Sequence, residues 1–342
     1  MKAAIVEQPG VLVVRDVPAP EPGEYDVLCQ LLYGATCSGT DQHIIHNRFP
    51  WGIKYPTILG HESIGRAVKV GKKVRNFRVG DLITRVGTPP AGGCQVNWGG
   101  FAEFGLARDH WAMREDGQPQ HLWAPYRVNQ KLPRGADPIA STMVITWRET
   151  LSNISRMGVG NGARVLVLGS GGNGLAFANH ARNLGAAYIA MAGSAGREAN
   201  AKAVGVELYL DYRREDLAAA MKAAGGTGFD YLIDAVGKAG EINRVMSLLK
   251  PGGMCCIYGI DERQKCFLNP FAAPGSFTYY NGGYDEAETH DRVMQFIGER
   301  RLDAAPYLAL DRIFALEDIA AAFAAIKARE LVKAVIRLSP AK

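Results

Sequence analysis

The sequence predicts an α/β protein of two domains, a β-rich one and a doubly wound parallel sheet. Three observations carry this expectation. The first 110 residues break into short apolar and β-branched runs separated by Pro and Gly, the pattern of a compact, partly barrel-like β domain. After Asp137 the rhythm changes to apolar runs alternating with segments of helical period, the signature of βαβ units. At the first alternation stands Val165-Leu-Val-Leu-Gly-Ser-Gly-Gly-Asn-Gly174, a glycine-rich turn directly after a buried-strand run. At 342 residues the chain also exceeds the usual size of a single hydrophobic core.

Taken in order, the β-rich part predicts strands at 2–6, 11–14, 26–33, 63–70 and 81–86, with Pro/Gly clusters between them. Residues 114–127 read as an inserted loop. Apolar residues at helical spacing predict a helix over 139–156, and the short apolar run 164–168 predicts a buried strand. Beyond the glycine-rich turn the alternation continues: helix 174–184, strand 188–192, helix 197–204, strand 207–210, helix 214–224, strand 231–235, helix 242–249 and strand 254–258.

Composition narrows the function classes. The chain is 47% hydrophobic and 21% charged, with a mild formal charge of +5, and no Lys/Arg block interleaves with aromatics, so nucleic-acid binding is not expected. No apolar run reaches the roughly 18 residues that would cross a bilayer, and the N-terminus opens into a strand-like pattern without a signal peptide. The six cysteines show no disulfide framework and read as reduced thiols, which fits a cytoplasmic protein.

The chemistry-bearing motifs are three. In the glycine-rich turn, Gly169 permits the tight bend, Gly171 lets the backbone approach a pyrophosphate, and Gly174 lets helix pack on strand. Gly172, Asn173 and their neighbours then offer helix N-terminal N–H groups to the anion. Upstream, Cys37-Ser-Gly-Thr-Asp-Gln-His43 and Gly60-His61-Glu62 offer a thiolate and an imidazole to a metal. Together they point to metal-assisted hydride transfer.

In this order the segments resemble the medium-chain, zinc-dependent alcohol and polyol dehydrogenases, nearly end to end. The resemblance implies a GroES-like catalytic domain at 1–148, a Rossmann dinucleotide-binding domain at 149–280 and a return of the catalytic domain at 281–342, ending in helix 316–327 and strand 332–338. It implies one catalytic zinc per chain, held by Cys37 and His61, with Glu62 beside the metal. Registering on Thr-Asp-x-His makes Thr40 the hydroxyl of a proton relay, Asp41 an orienting carboxylate and His43 the outer base. The segment is one residue longer than the family's Cys-Gly-Thr-Asp, so Cys37 must bulge to reach the metal.

The position where relatives supply a third ligand falls at or beside Ile145, which cannot ligate, so Glu62 or Glu149 is expected to complete the site. The four-cysteine structural zinc lobe is absent, since only Cys94 lies between Arg85 and Phe101. Alignment with relatives puts Ala192 where NAD-dependent members carry an acid. Ser194 and Arg197, with Arg213 and Arg214 as weaker candidates, then point to NADP, with NAD possible. The family also implies a homodimer or homotetramer acting on a small molecule. Polar residues Asn97, Glu103 and Arg114, with Trp98, favour a polyol, cyclitol or sugar over a short alkyl alcohol. Two other readings stay open. One is a zinc-free quinone or enone reductase, against which Cys37 and His61 count. The other is a redox-sensing NADP-binding protein without turnover, against which Thr40 and His43 count.

Overall fold

The computed structural model describes residues 1–340 and divides into two compact units, Met1–Ile145 with the segment from Leu308 onward, and Thr146–Tyr307. The first unit begins with β1 (Lys2–Gln8), β2 (Val11–Asp16), β3 (Asp26–Ala35), α1 (Thr40–Ile45), β4 (Thr57–Ile58) and β5 (Glu62–Val70). It continues with β6 (Leu82–Thr84), β7 (Gln95–Val96), β8 (Phe104–Arg108), α2 (His110–Glu115) and α3 (Gln120–Trp123). Then comes α4 (Met143–Arg156), whose N-terminal residues belong to this unit and whose remainder belongs to the second.

The second unit alternates β9 (Arg164–Leu168), α5 (Gly172–Asn183), β10 (Tyr188–Gly193), α6 (Glu198–Ala203), β11 (Leu208–Asp211), α7 (Leu217–Ala223) and β12 (Phe229–Asp234). It closes with β13 (Leu249–Ile257), β14 (Thr278–Tyr280) and α8 (His290–Gly298). The chain then returns to the first unit with β15 (Leu308–Ala315), α9 (Ile319–Lys327) and β16 (Lys333–Arg337).

Two sheets build the first unit. One runs β2-β1-β4-β7; the other runs β15-β16-β3-β5-β6, with β8 also paired to β3. On β3 the apolar residues Val27, Cys29 and Leu31 alternate inward into a core that also takes Ile5, Ile58, Phe101, Phe323 and Ile336. The C-terminal strand β16 lies inside this sheet, antiparallel to β3 and parallel to β15. The second unit is one parallel sheet in the order β11-β10-β9-β12-β13-β14. The order reverses between β9 and β12, the crevice where open α/β sheets bind ligands, and β9 ends at the glycine-rich turn.

Two expectations are corrected. Residues 114–127 are not a plain loop: they fold into the end of α2, α3 and a 3-10 turn, Ala124–Val128, and Asp109 caps α2 by accepting from Ala112 N at 3.0 Å. The helix expected at 242–249 is instead two 3-10 turns, Glu241–Arg244 and Met246–Leu248. Buried Ile242, Val245, Met246 and Leu248 mimic a helical face, but Val245 at φ −124° breaks the ladder and β13 starts at Leu249.

The chain re-enters the first unit at Leu308. Polar contacts hold 281–307 to the second unit. Glu288 accepts from Ser152 Oγ at 2.5 Å and from Arg156 Nε at 2.7 Å, the buried Arg148 pairs with Glu286, and Tyr307 Oη donates to Asn179 Oδ1 at 3.1 Å.

Candidate active site

Cys37 sits in the turn between β3 and α1, and His61 and Glu62 sit at the entry to β5. Gly60 aims the latter pair: at φ +94° a Cβ there would lie 2.4 Å from Phe101 Cγ and 2.7 Å from Phe101 N, so only glycine lets the chain bend here. The extra residue of the first segment is absorbed in the turn into α1, where Asp41 N donates to Cys37 O and His43 N to Gly39 O, both at 3.0 Å. As a result one donor atom each from Cys37, His61 and Glu62 lies within 4.8 Å of the others, and all three residues are buried.

Asp41 is fully buried beside this cluster. Its Oδ2 accepts from Cys37 N at 2.8 Å. Its Oδ1 lies 3.5 Å from His61 Nδ1, and neither of these two atoms makes a hydrogen bond. Burial works against a charge on His61, but the attraction of nearby Asp41 and Cys37 outweighs it and pushes the imidazole up to about 10. The surroundings thus favour positive charge at this point. Zinc bonds of about 2.0–2.3 Å to N, O and S fit a donor set this close, and thiolate, imidazole and carboxylate are the ligands zinc takes.

Glu62 has a second partner that sequence reasoning missed. Lys333, on β16 and only 2% exposed, pairs through Nζ with Glu62 Oε2 and donates to Thr36 O at 3.1 Å. Burial opposes its charge, yet the charges of Glu62 and Cys37 and the bond to Glu62 hold its pKa above the ordinary lysine value. Thr40 opens α1, and His43 follows at i+3 on the same helix face. His43 is 3% exposed and its Nδ1 donates to Gly39 O at 2.6 Å, which makes Nε2 the basic nitrogen. Ile145 is fully buried in the first unit. Glu149 belongs to the second unit, where its carboxylate accepts from Tyr258 Oη at 3.5 Å.

In the second unit the glycine-rich turn lies between β9 and α5. Gly169 is at φ +100°, and a Cβ on Gly174 would lie 1.9 Å from Gly169 O. Gly171 precedes α5, whose first residues are Gly172, Asn173 and Gly174, so their N–H groups have no intrahelical acceptor. Ala192 is 1% exposed inside β10, and Ser194 follows the strand end. Ser194 N donates to Ser170 Oγ at 3.1 Å and its carbonyl accepts from Tyr209 Oη at 2.6 Å. Arg197 N donates to Ser194 O at 2.9 Å, closing a 3-10 turn.

The family profile described as zinc-binding dehydrogenase matches residues 172–281, and that of the alcohol dehydrogenase GroES-like domain matches residues 23–117. An L-threonine 3-dehydrogenase of Chelativorans sp. (strain BNC1) is 30% identical over 276 residues, 76% of this chain and 77% of that protein. The chain belongs to the zinc-dependent medium-chain alcohol and polyol dehydrogenases. The L-galactonate-5-dehydrogenase of Escherichia coli (strain K12) is 27% identical over 340 residues, covering 98% of both chains. A zinc-binding dehydrogenase from Sinorhizobium meliloti 1021, bound to NADP in its crystal structure, shares the fold at a TM-score of 0.78 and 24% identity, covering 98% of both chains.

Other sequence-assigned positions in this dehydrogenase divide. Trp98 lies beside the cluster, 5.1 Å from the His61 ring centroid to centroid, and Asn97 accepts from Thr57 Oγ1 at 2.9 Å. Glu103 is engaged by Lys2 N at 2.7 Å, and Arg114 is exposed on α2. Arg213 is held by Asp211, with Nε at 3.0 Å from Oδ1. Cys94 is buried and accepts from Arg15 Nη2 at 3.0 Å. The signal for Lys333 was present in the sequence: a lone charge inside the apolar run Leu331-Val-Lys-Ala-Val-Ile336.

Proposed function

We propose that this dehydrogenase interconverts a secondary alcohol of a polyol, cyclitol or sugar with its carbonyl, prefers NADP, and holds one zinc ion through Cys37, His61 and Glu62. The observation that carries the reading is the buried three-donor cluster. A zinc ion held there would lower the pKa of the substrate hydroxyl, and a bound nicotinamide would supply the hydride acceptor. The protein's own residues do the rest. Asp41 orients the His61 imidazole, and Lys333 fixes Glu62. The hydroxyl proton leaves through Thr40 to His43 Nε2, since Nδ1 already serves Gly39 O. The α5 N-terminus takes the pyrophosphate, and Ser194 and Arg197 take the adenosine 2′-phosphate.

Metal analysis and Cys37→Ser test this reading together. The wild-type protein purified without chelator should carry about one zinc per chain. Cys37→Ser should lose both zinc and turnover while still binding NADPH, because the nucleotide turn belongs to the other unit. Full turnover in that variant would sink the zinc mechanism and favour an enone reductase. For the cofactor, Ser194→Asp is a cleaner probe than a change at the buried Ala192. It should shift the preference from NADP toward NAD by repelling the 2′-phosphate, and a wild type already preferring NAD by about tenfold or more would overturn the assignment.

A further inference from the structure

An aromatic wall of Trp98, Phe49 and Trp51 adjoins the candidate metal cluster. Trp98 contacts His61 on one side and Phe49 on the other, at 5.1 and 6.0 Å between centroids, and Phe49 contacts Trp51 at 5.0 Å. Trp98 is 43% exposed and Trp51 is 64% exposed, an open indole surface next to donors that are themselves buried. Water is a poor partner for that much ring surface.

The backbone holds the wall in place at a cost. Trp98 sits at φ +68° and Arg85 at φ +59°, a left-handed conformation that bulky residues rarely adopt. Bare backbone packs around Trp98: a Cβ on Gly87 would lie 1.8 Å from Trp98 O, and one on Gly99 would lie 2.4 Å from Thr88 O. Arg85 couples wall and cluster, since its Nη1 donates to His61 O at 3.1 Å and its guanidinium lies 5.5 Å from the Trp98 ring centroid. Asn97, next in line, has its amide oxygen taken by Thr57 Oγ1 at 2.9 Å, so it presents its NH2 donors.

We infer that Trp98 is the specificity-determining platform of this dehydrogenase and selects a ring-closed polyhydroxylated substrate, a cyclitol or pyranose. One face of such a ring is a patch of polarised C–H bonds that matches the negative face of an indole, while its rim hydroxyls meet donors such as Asn97 and Arg85. An open-chain polyol holds no such flat face, and a short alkyl alcohol lacks the area. The inference rests on the polyol-dehydrogenase reading above and deepens it.

The test compares zinc-loaded wild type, Trp98→Asn and Trp98→Tyr on myo-inositol, glucose, sorbitol and 2-propanol with NADP. Asparagine tolerates the left-handed backbone, so Trp98→Asn should fold and keep its zinc. It should raise KM for whichever ring substrate the wild type turns over by about tenfold, with a smaller effect on kcat, and lower the ring-to-2-propanol ratio of kcat/KM by a similar factor. Trp98→Tyr, with an aromatic face restored, should recover most of that ratio. An unchanged ratio in zinc-replete Trp98→Asn, or a wild type that prefers sorbitol to both rings, would overturn the platform and leave the dehydrogenase reading standing. Failure of the zinc-loaded wild type to oxidise any alcohol of the panel would overturn that reading and the platform with it.

Discussion

A lysine ammonium at 2% exposure is tolerable only because Glu62 and Thr36 O meet it. Removing it takes away the lysine partner of a buried carboxylate. Lys333→Met should therefore cost about 3 to 5 kcal/mol in urea unfolding, and the double change with Glu62→Gln should recover most of the loss. Equal losses in the single and double variants would show that the pair is not energetically coupled.

Asp234 makes a different residue-scale prediction. Its Oδ1 accepts from Val236 N and Gly237 N, both at 2.9 Å, but Oδ2 is buried without a partner. Burial pushes its carboxyl up to about 6, against the lowering effect of those backbone donors. A raised folded pKa means that stability is fully present below about pH 4 and is lost as pH climbs through 6. Asp234→Asn keeps the acceptor and should raise stability at pH 8 by up to about 2 to 3 kcal/mol, with no gain at pH 4 in thermal melts.

That Cys37, His61 and Glu62 come together could be foreseen because their residue types and spacing carry chemistry by themselves. Lys333 was not, because its meaning depends on a partner 271 positions away.

The glycine turn and α5 decide the nucleotide half at the level of elements. A methyl on Gly174 would meet Gly169 O, so Gly174→Ala should force α5 away from β9 and abolish NADPH binding, measurable by fluorescence titration. In the same helix His180 is fully buried with neither ring nitrogen hydrogen-bonded. Burial drives its imidazole down to about 3. A depressed folded pKa means that stability present above the unfolded value near 6.5 is lost progressively as pH falls toward 3. His180→Leu should flatten acid unfolding over that window, and an unchanged acid profile would refute this. The strands and helices from β9 to β12 were readable because apolar runs and helical spacing alternate there. The stretch 242–249 deceived because two 3-10 turns can bury the same residues as one helix, and α2 and α3 were hidden because polar side chains and an Asp cap build them.

At the scale of the whole chain, Met1–Ile145 and the segment from Leu308 onward form one unit and Thr146–Tyr307 the other, and residues 281–307 stay with the second through buried Val293 and Phe296 as well as the pairs Arg148–Glu286 and Arg156–Glu288. Truncation after Tyr307 removes β15 and β16, and with them an interior strand of the first unit's sheet. The shortened chain should lose zinc and the hydrogen-exchange protection of β3, yet still bind NADPH through the second unit. Retained zinc would show that the donor cluster forms without the C-terminal strand.

Placing Lys333 on that last strand also sets an order of events during synthesis. The second unit is contiguous in sequence and can close its sheet as soon as it has emerged, whereas the first must wait for the C-terminus. Until then Cys37 and His61 are a thiol and an imidazole on an unfinished sheet, open to any cation that favours soft ligands. If the proposed ligands hold the metal, a complete site would form only once β16 is in place, so the ions present late in folding would compete for it.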